Sequence, residues 1–422
     1  MTPEIQKKYD EKFKRMKDAL ELREPDRVPI AIDGGKFMIN YAGYKMKDAI
    51  YDPDMEIYRE SAIKFMKDFD PDVVPKSAAN FFGEGIGHEM SQPKNMIIAG
   101  MKEGRIDDDS LHQYIEYPML LDDEFDEFFS DRTGWRLRKF LPRIAGVFDS
   151  FKDLELNYDN RASINVALEL SKPEVRRSLE ILFEIGDYYR NQRKRFGEIV
   201  QELVGMGYPD FSGGGAAAIP FDNYSDNYRG TVLSLSDLYT YEEEVLKYTE
   251  EYHQKQLQRI KNSNKDGSKN GLFITSNLHK GIEGFMGDEH YEKFYWRHMK
   301  ELMQAEIDAG LIPDMFCEGK YNSRLKYLKQ APKGKILFRF ETIDMELAKK
   351  ELKGVACIGG GFPSTLLQFG TKEQVIEECK RFLDKAMPGG GYIFRTSSGL
   401  DGAKIDNVIA LFKTVKEYGK YR

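Results

Sequence analysis

The chain has 422 residues, 41% of them hydrophobic and 32% charged, with a formal net charge of −7. That length and apolar content suit one large α/β unit, and the acidic balance speaks against nucleic acid as a partner. No run is apolar and long enough to span a membrane, and the charged opening MTPEIQKKYDEKFKRMKDAL lacks the apolar centre and cleavage site of a secretory leader.

Residues 1–24 read as an amphipathic helix that stops before Pro25. RVPIAIDGG (27–35) is a short apolar strand running into two glycines, and VVPKSAA (73–79) and NMIIAG (95–100) are two further short apolar runs. The acidic, aromatic stretch 103–160 reads as an insertion or lid, and 172–204 as a long helix. From there the alternation is regular. A glycine-rich strand at 212–226 precedes a helix at 241–262, and strands at 271–281, 312–319, 335–341, 354–361 and 390–399 alternate with helices at 291–310, 321–330, 345–352, 372–386 and 406–421. Strands alternating with helices imply βαβ units and a parallel sheet. With the earlier strands the count reaches eight, so we expect a single domain over 1–422, a (β/α)8 TIM barrel with an N-terminal helical extension. An open doubly wound sheet is the competing topology.

Only three cysteines are present, Cys317, Cys357 and Cys379, which suits a reducing, cytoplasmic setting and free thiols. In a barrel, residues just after each strand converge on one mouth. His279, Glu318 and Cys357 all fall near such positions, and a His, a carboxylate and a thiolate make a three-ligand zinc set with an open position. The plain alternative is a packing thiol, a helix-capping His and a loop Glu. Cys317 adjoins Glu318 and could substitute for it, but neighbours on a strand point to opposite faces. Cys379 lies mid-helix and reads as packing. The glycine groups Gly213–Gly215, Gly359–Gly361 and Gly389–Gly391 fit no nucleotide-binding pattern, and they suit tight turns or close backbone approach to a bulky ligand. Asp33, Asp222, Asp226, Arg229, Arg324, Glu341 and Asp344 lie near strand ends as possible acids, bases or anion clamps. His88, after FFGEGIG, is a candidate pocket residue, and Tyr291, Phe294 and Tyr295 follow helical spacing as core.

The stretch 357–421 resembles the uroporphyrinogen decarboxylase superfamily, through Pro363, Leu366, Leu367, Gly370, Thr371, Val375, Gly389–Gly391, Asn407, Tyr418, Gly419 and Tyr421. RVPIAIDGG matches that superfamily's first strand. PFDNYSDNYRG (220–230) and HKGIEGFMGDEHYEKFYW (279–296) are similar to its branch of methyltransferases that take methyl groups from methoxylated aromatics and deliver them to corrinoid proteins. Two departures matter. The decarboxylases carry arginines after the first strand, where this chain reads IDGGKFMINYAGY (32–44), which weakens a lyase acting on a large polycarboxylate. The methanol- and methylamine-linked enzymes carry His-x-Cys-Gly where this chain has Phe316-Cys317-Glu318-Gly319, while their later Cys corresponds to Cys357.

The resemblance therefore implies an O-demethylase component. Zinc on His279, Glu318 and Cys357 polarises the ether oxygen, and a cobalt(I) corrinoid on a partner protein accepts the methyl group. Asp226, Arg229 or Arg324 orients the aromatic donor, and Gly359, Gly360 and Gly361 allow the corrinoid's close approach. Another small methyl donor is the alternative within this class, and a non-catalytic binding subunit is the alternative outside it. The reading includes no membrane partner and leaves the oligomeric state open, with a homodimer as one option.

Overall fold

The computed structural model describes residues 1–75, 81–102, 106–156 and 159–421. A short antiparallel ribbon joins β1 (Met96–Ile97) to β2 (Gln113–Tyr114). A parallel sheet of six strands runs in chain order: β3 (Gly215–Ala216), β4 (Phe273–Leu278), β5 (Ile312–Lys320), β6 (Leu337–Thr342), β7 (Cys357–Gly360) and β8 (Tyr392–Ile393). Each strand pairs with the next across a helical connection, as βαβ units require.

Backbone hydrogen bonds continue past both edges of this sheet. Ile30 bridges Phe394 in parallel, and Asp72 N donates to Ile30 O at 2.8 Å. Val74 N donates to Pro209 O at 3.1 Å, and Phe273 N donates to Phe211 O at 2.7 Å. Three extended segments around residues 30, 73 and 211 thus carry the pairing from β8 back toward β3 and β4.

The strand register sorts side chains into layers. Ala31, Val73, Phe211, Phe273, Ile312, Leu337, Cys357 and Ile393, one from each extended segment, form one apolar cluster with Met16, Ala19 and Leu20. The last three belong to the helix Pro3–Leu20, which starts with a Thr2 cap and a proline in its first turn. That helix seals the end from which the strands start. It is fastened by Asp72, which is fully buried and meets Arg15 at 2.6 Å, Arg27 at 2.7 Å and Lys12 at 3.6 Å while accepting Ile30 N at 2.7 Å. Burial pushes the Asp72 pKa up, but Arg27, Lys12 and Arg15 outweigh it and hold the carboxyl below its usual range.

Three expectations change. NMIIAG does contain a strand, but Met96–Ile97 pairs antiparallel with Gln113–Tyr114 and stands outside the parallel sheet. The expected strand 73–79 is described only to Pro75, and residues 76–79 lie outside the described residues. The stretch 103–160, described except at 103–105 and 157–158, contributes β2 and short helices. Arg143 and Trp135 fasten these helices to the buried Glu124, at 2.7 and 3.1 Å. Among the described residues no helix is long and apolar enough to cross a membrane.

Candidate active site

His279 is the first residue after β4, and its ring is placed from behind. The short helix Pro220–Tyr224 and the turn Ser225–Arg229 put Asp222 and Asp226 four positions apart, on one helical face. Asp222 is buried and accepts Lys280 N at 2.8 Å, His279 N at 3.3 Å and the Tyr295 hydroxyl at 2.5 Å. It therefore fixes the backbone that carries His279. Asp226 accepts His279 Nδ1–H at 2.5 Å and pairs with Lys280 Nζ at 3.0 Å. The other ring nitrogen, Nε2, faces the mouth and lies 3.4 Å from Glu318 Oε2, near the end of β5.

Charge follows from this geometry. The hydrogen bond to Asp226 lifts the His279 pKa to about 9. Burial opposes the rise, and the charges of Asp226, Asp222 and Glu318 add to it. Burial alone would raise Asp226, but His279 and Lys280 bring its pKa down. Asp222 is pushed up to about 7 by burial and then by Asp226. At neutral pH the mouth thus presents an imidazolium whose outward proton sits on Nε2.

Above it lies a cleft of about 780 Å³. Met119, Phe140, Ile144, Ile282 and Phe285 give it an apolar, partly aromatic wall; His112, Tyr114, Glu318 and Glu341 give it polar points. Half of that wall comes from the 95–144 stretch, so the segment read as an insertion covers the mouth. Tyr114 donates to the backbone oxygen of Asp226 at 3.1 Å. His112 stacks edge-on against Phe81, at 5.3 Å between ring centres, and its buried Nδ1 has no hydrogen-bond partner among the described residues. Glu341 accepts Gly319 N at 2.6 Å and holds the turn after Glu318.

Of the proposed metal ligands, the structure brings His279 and Glu318 together and separates Cys357 from them. Cys357 opens β7 on the rung of Thr275, Asp314 and Leu337. His279 is four residues beyond Thr275 on β4, so Cys357 lies about 13 Å lower in the sheet. It is fully buried in the apolar bottom layer, where burial pushes its thiol up to about 12. The sequence reading failed because it took the whole of 354–361 as one strand and placed Cys357 near its end, when it is the first residue. The Cys357→Ala protein is accordingly expected to keep its cleft-ligand affinity within about twofold while losing about 1–2 kcal/mol of stability. Isothermal titration and urea unfolding check both, and lost affinity with normal stability would return Cys357 to the site.

Arg229 and Arg324 are also corrected. Arg229 is buried, with Nε on Asp237 at 2.7 Å, Nη2 on Asp122 at 2.6 Å and Nη1 on Leu120 O at 2.7 Å. It staples the 120–122 stretch to the helix Gly230–Thr240. Arg324 is buried too; it donates to Gly281 O at 3.1 Å and Met286 O at 2.7 Å and lies over Tyr291 at 4.0 Å, shaping the turn that follows His279. Neither guanidinium is free to meet a substrate. Asp226 reaches the cleft through His279.

The three glycines divide by role. A Cβ on Gly360 would lie 2.3 Å from Phe340 O, and one on Gly361 would press on Met345 and Ile343, so both serve packing. Only Gly359 borders the lumen. Cys317 is buried in the main core, Cys379 packs in its helix, Asp344 caps the helix Met345–Glu351, and His88 is tied to Met96 O away from the cleft. Sequence reasoning missed Lys280 and His112, and it gave Asp222 no special weight. The spacing Asp222-x-x-x-Asp226 was the available signal.

Three protein ligands are the usual complement of a catalytic zinc site. Here His279 Nε2 and Glu318 converge, and Asp226 supports the ring as a carboxylate does behind a metal-bound imidazole. Among the described residues, however, no group of three His, Cys, Asp or Glu side chains is arranged to hold a metal. The expected ligand set does not fit the ion, and no step below runs through it.

Comparison with known proteins gives three findings. Residues 213–418 match the family described as uroporphyrinogen decarboxylase (URO-D). No curated protein matches the chain. A solved structure, a methyltransferase from Methanosarcina mazei, superposes with a TM-score of 0.56 at 12% identity, covering 96% of this chain and 98% of that one, which is a likeness of fold.

Proposed function

We propose that this chain is a cytoplasmic methyltransferase of the uroporphyrinogen decarboxylase superfamily. In this reading its strands close into an eight-stranded barrel. The enzyme moves a methyl group from a methoxylated aromatic to the cobalt(I) of a corrinoid carried by a partner protein. The observation that carries the proposal is the His279 imidazolium, fixed by Asp226, with Nε2 turned into a cleft walled by Phe140, Phe285 and aliphatic side chains. The URO-D match and the fold likeness support the class.

The chemistry asked of the chain is modest. Bound above the cleft, the cobalt(I) supplies the nucleophile that takes the methyl carbon. The methyl–oxygen bond breaks, and the electron pair stays on oxygen. A phenol has a pKa of about 10, close to the value of about 9 at His279. A proton on Nε2 can therefore pass to the departing oxygen with little driving-force penalty. Asp226 keeps the ring oriented and charged, and Asp222 keeps its backbone in place. The apolar wall excludes water and accepts the ring face.

The test is an assay of methyl transfer from a panel of methoxyarenes to free cob(I)alamin, read by the cobalamin spectrum and by phenol release. We expect release of the matching phenol. Transfer from methanol or methylamines with every aryl ether left intact would sink the aromatic donor.

A further inference from the structure

Below the mouth, the lumen contains a feature that the proposed reaction does not use. We infer that it is a carboxylate subsite, in which Arg339 and Arg395 grip an anionic group on the end of the methyl donor remote from its methoxy carbon. This rests on the demethylase reading above and specifies its substrate as an aromatic acid.

The two guanidiniums are neighbours. Arg339 is on β6, and Arg395 follows β8. Gly359 on β7 lies between them: a Cβ there would lie 3.3 Å from Arg339 Cγ and 3.6 Å from Arg395 Cδ. Glycine at this place leaves open the room that any larger side chain would fill. Arg339 pairs through Nε with the buried Asp314, which also accepts the Thr275 hydroxyl at 3.1 Å, and lies 4.9 Å from the Phe316 ring. Arg395 is different. Its Nε is buried and makes no hydrogen bond among the described residues. It also borders a cavity of about 10 Å³ beside Asp33 and Phe211, room for about one water. A buried guanidinium nitrogen without a partner is costly, and a ligand that supplies one removes the cost.

The electrostatics agree. Burial and then Arg339 push the Arg395 pKa down to about 10, although Asp314 and Asp33 pull the other way. Like charges held this close stabilise a planar anion placed between them, and guanidinium and carboxylate match in bidentate geometry. The lumen is also reachable from above, because Asn277, Gly213 and Gly215 are exposed on its wall. Distance fits the donor. Arg339 shares a rung with Phe316 and Asn277, two residues before His279, which places the arginine layer about 7 Å below the proton-bearing ring. A single benzene ring with para substituents bridges that gap.

The experiment compares products, so that binding is read without methyl transfer. Isothermal titration with 4-hydroxybenzoate and with phenol is run on the full chain, on Arg395→Met and Arg395→Lys, and on Arg339→Met, with each melting curve recorded. We expect the wild type to prefer the carboxylated ligand by at least tenfold. Arg395→Met should lose that preference while keeping its phenol affinity, and Arg395→Lys should retain part of it. Equal affinity for the two ligands in the wild type overturns the subsite, as does a preference unchanged in Arg395→Met and in Arg395→Lys. The two proposals fail separately. A preference without demethylation of any methoxyarene leaves the subsite and removes the reaction. Demethylation of anisole and 4-methoxybenzoate with the same KM does the reverse.

Discussion

The His279→Gln enzyme is expected to lose about 10²- to 10⁴-fold in kcat/KM for methyl transfer, the usual worth of a positioned proton donor. Glutamine keeps much of the shape of the ring but has no proton to give. The pH profile separates this role from mere packing. His279 is raised in the fold from about 6.5 to about 9, so the protonated form is fully favoured below the ordinary value and is lost as pH rises through about 9. Wild-type kcat/KM should therefore fall on the alkaline side of that pH. Asp226→Asn removes the first cause of the shift, the hydrogen bond at 2.5 Å, and should move the alkaline limb toward neutrality. A His279→Gln enzyme within threefold of wild type, or an alkaline limb that stays put in Asp226→Asn, would remove His279 from the mechanism.

The largest loss of stability is expected from Asp72→Ala, at about 3–5 kcal/mol, because taking one partner from a buried ion cluster leaves its other charges uncompensated. Arg15, Arg27 and Lys12 would then face one another at the sealed end, and the Ile30 N–H would lose its acceptor. Denaturant unfolding measures the difference. The same carboxylate predicts an acid response. Its folded pKa is held below the unfolded value of about 3.9, so its contribution is complete at neutral pH and drains away as pH drops beneath about 4. An Asp72→Ala protein less than about 1 kcal/mol weaker than wild type, with unchanged acid unfolding, would show that the cluster does not fasten the helix.

The repeating half of the fold was legible because each apolar run there is followed by a helix with clear polar punctuation. The strands within 271–281, 312–319 and 335–341 fall where the alternation puts them. Their bounds were the weaker part, and at Cys357 that weakness decided the chemistry. A strand read three residues too long at its start turns a bottom-layer thiol into a mouth ligand. The helix Glu56–Phe69 was missed although Tyr58, Ala62, Phe65 and Phe69 carry helical spacing, because no glycine marks its ends. His279 and Glu318 could be paired from strand order alone. Arg229 and Arg324 could not be dismissed from sequence, because their partners at 120–122 and 281–288 are visible only once the backbone is laid down.

The first residues of the chain depend on the last. Val28 N donates to Gly419 O at 2.8 Å, Phe394 N to Pro29 O at 2.8 Å, and Gly389 N to Glu24 at 3.0 Å. During synthesis the stretch around residue 30 therefore waits, unpaired on one side, until nearly the whole polypeptide has left the ribosome. Contacts so distant in sequence form slowly. A truncation that removes only the final helix should strand the opening segment as an exposed edge, ready to pair with another molecule.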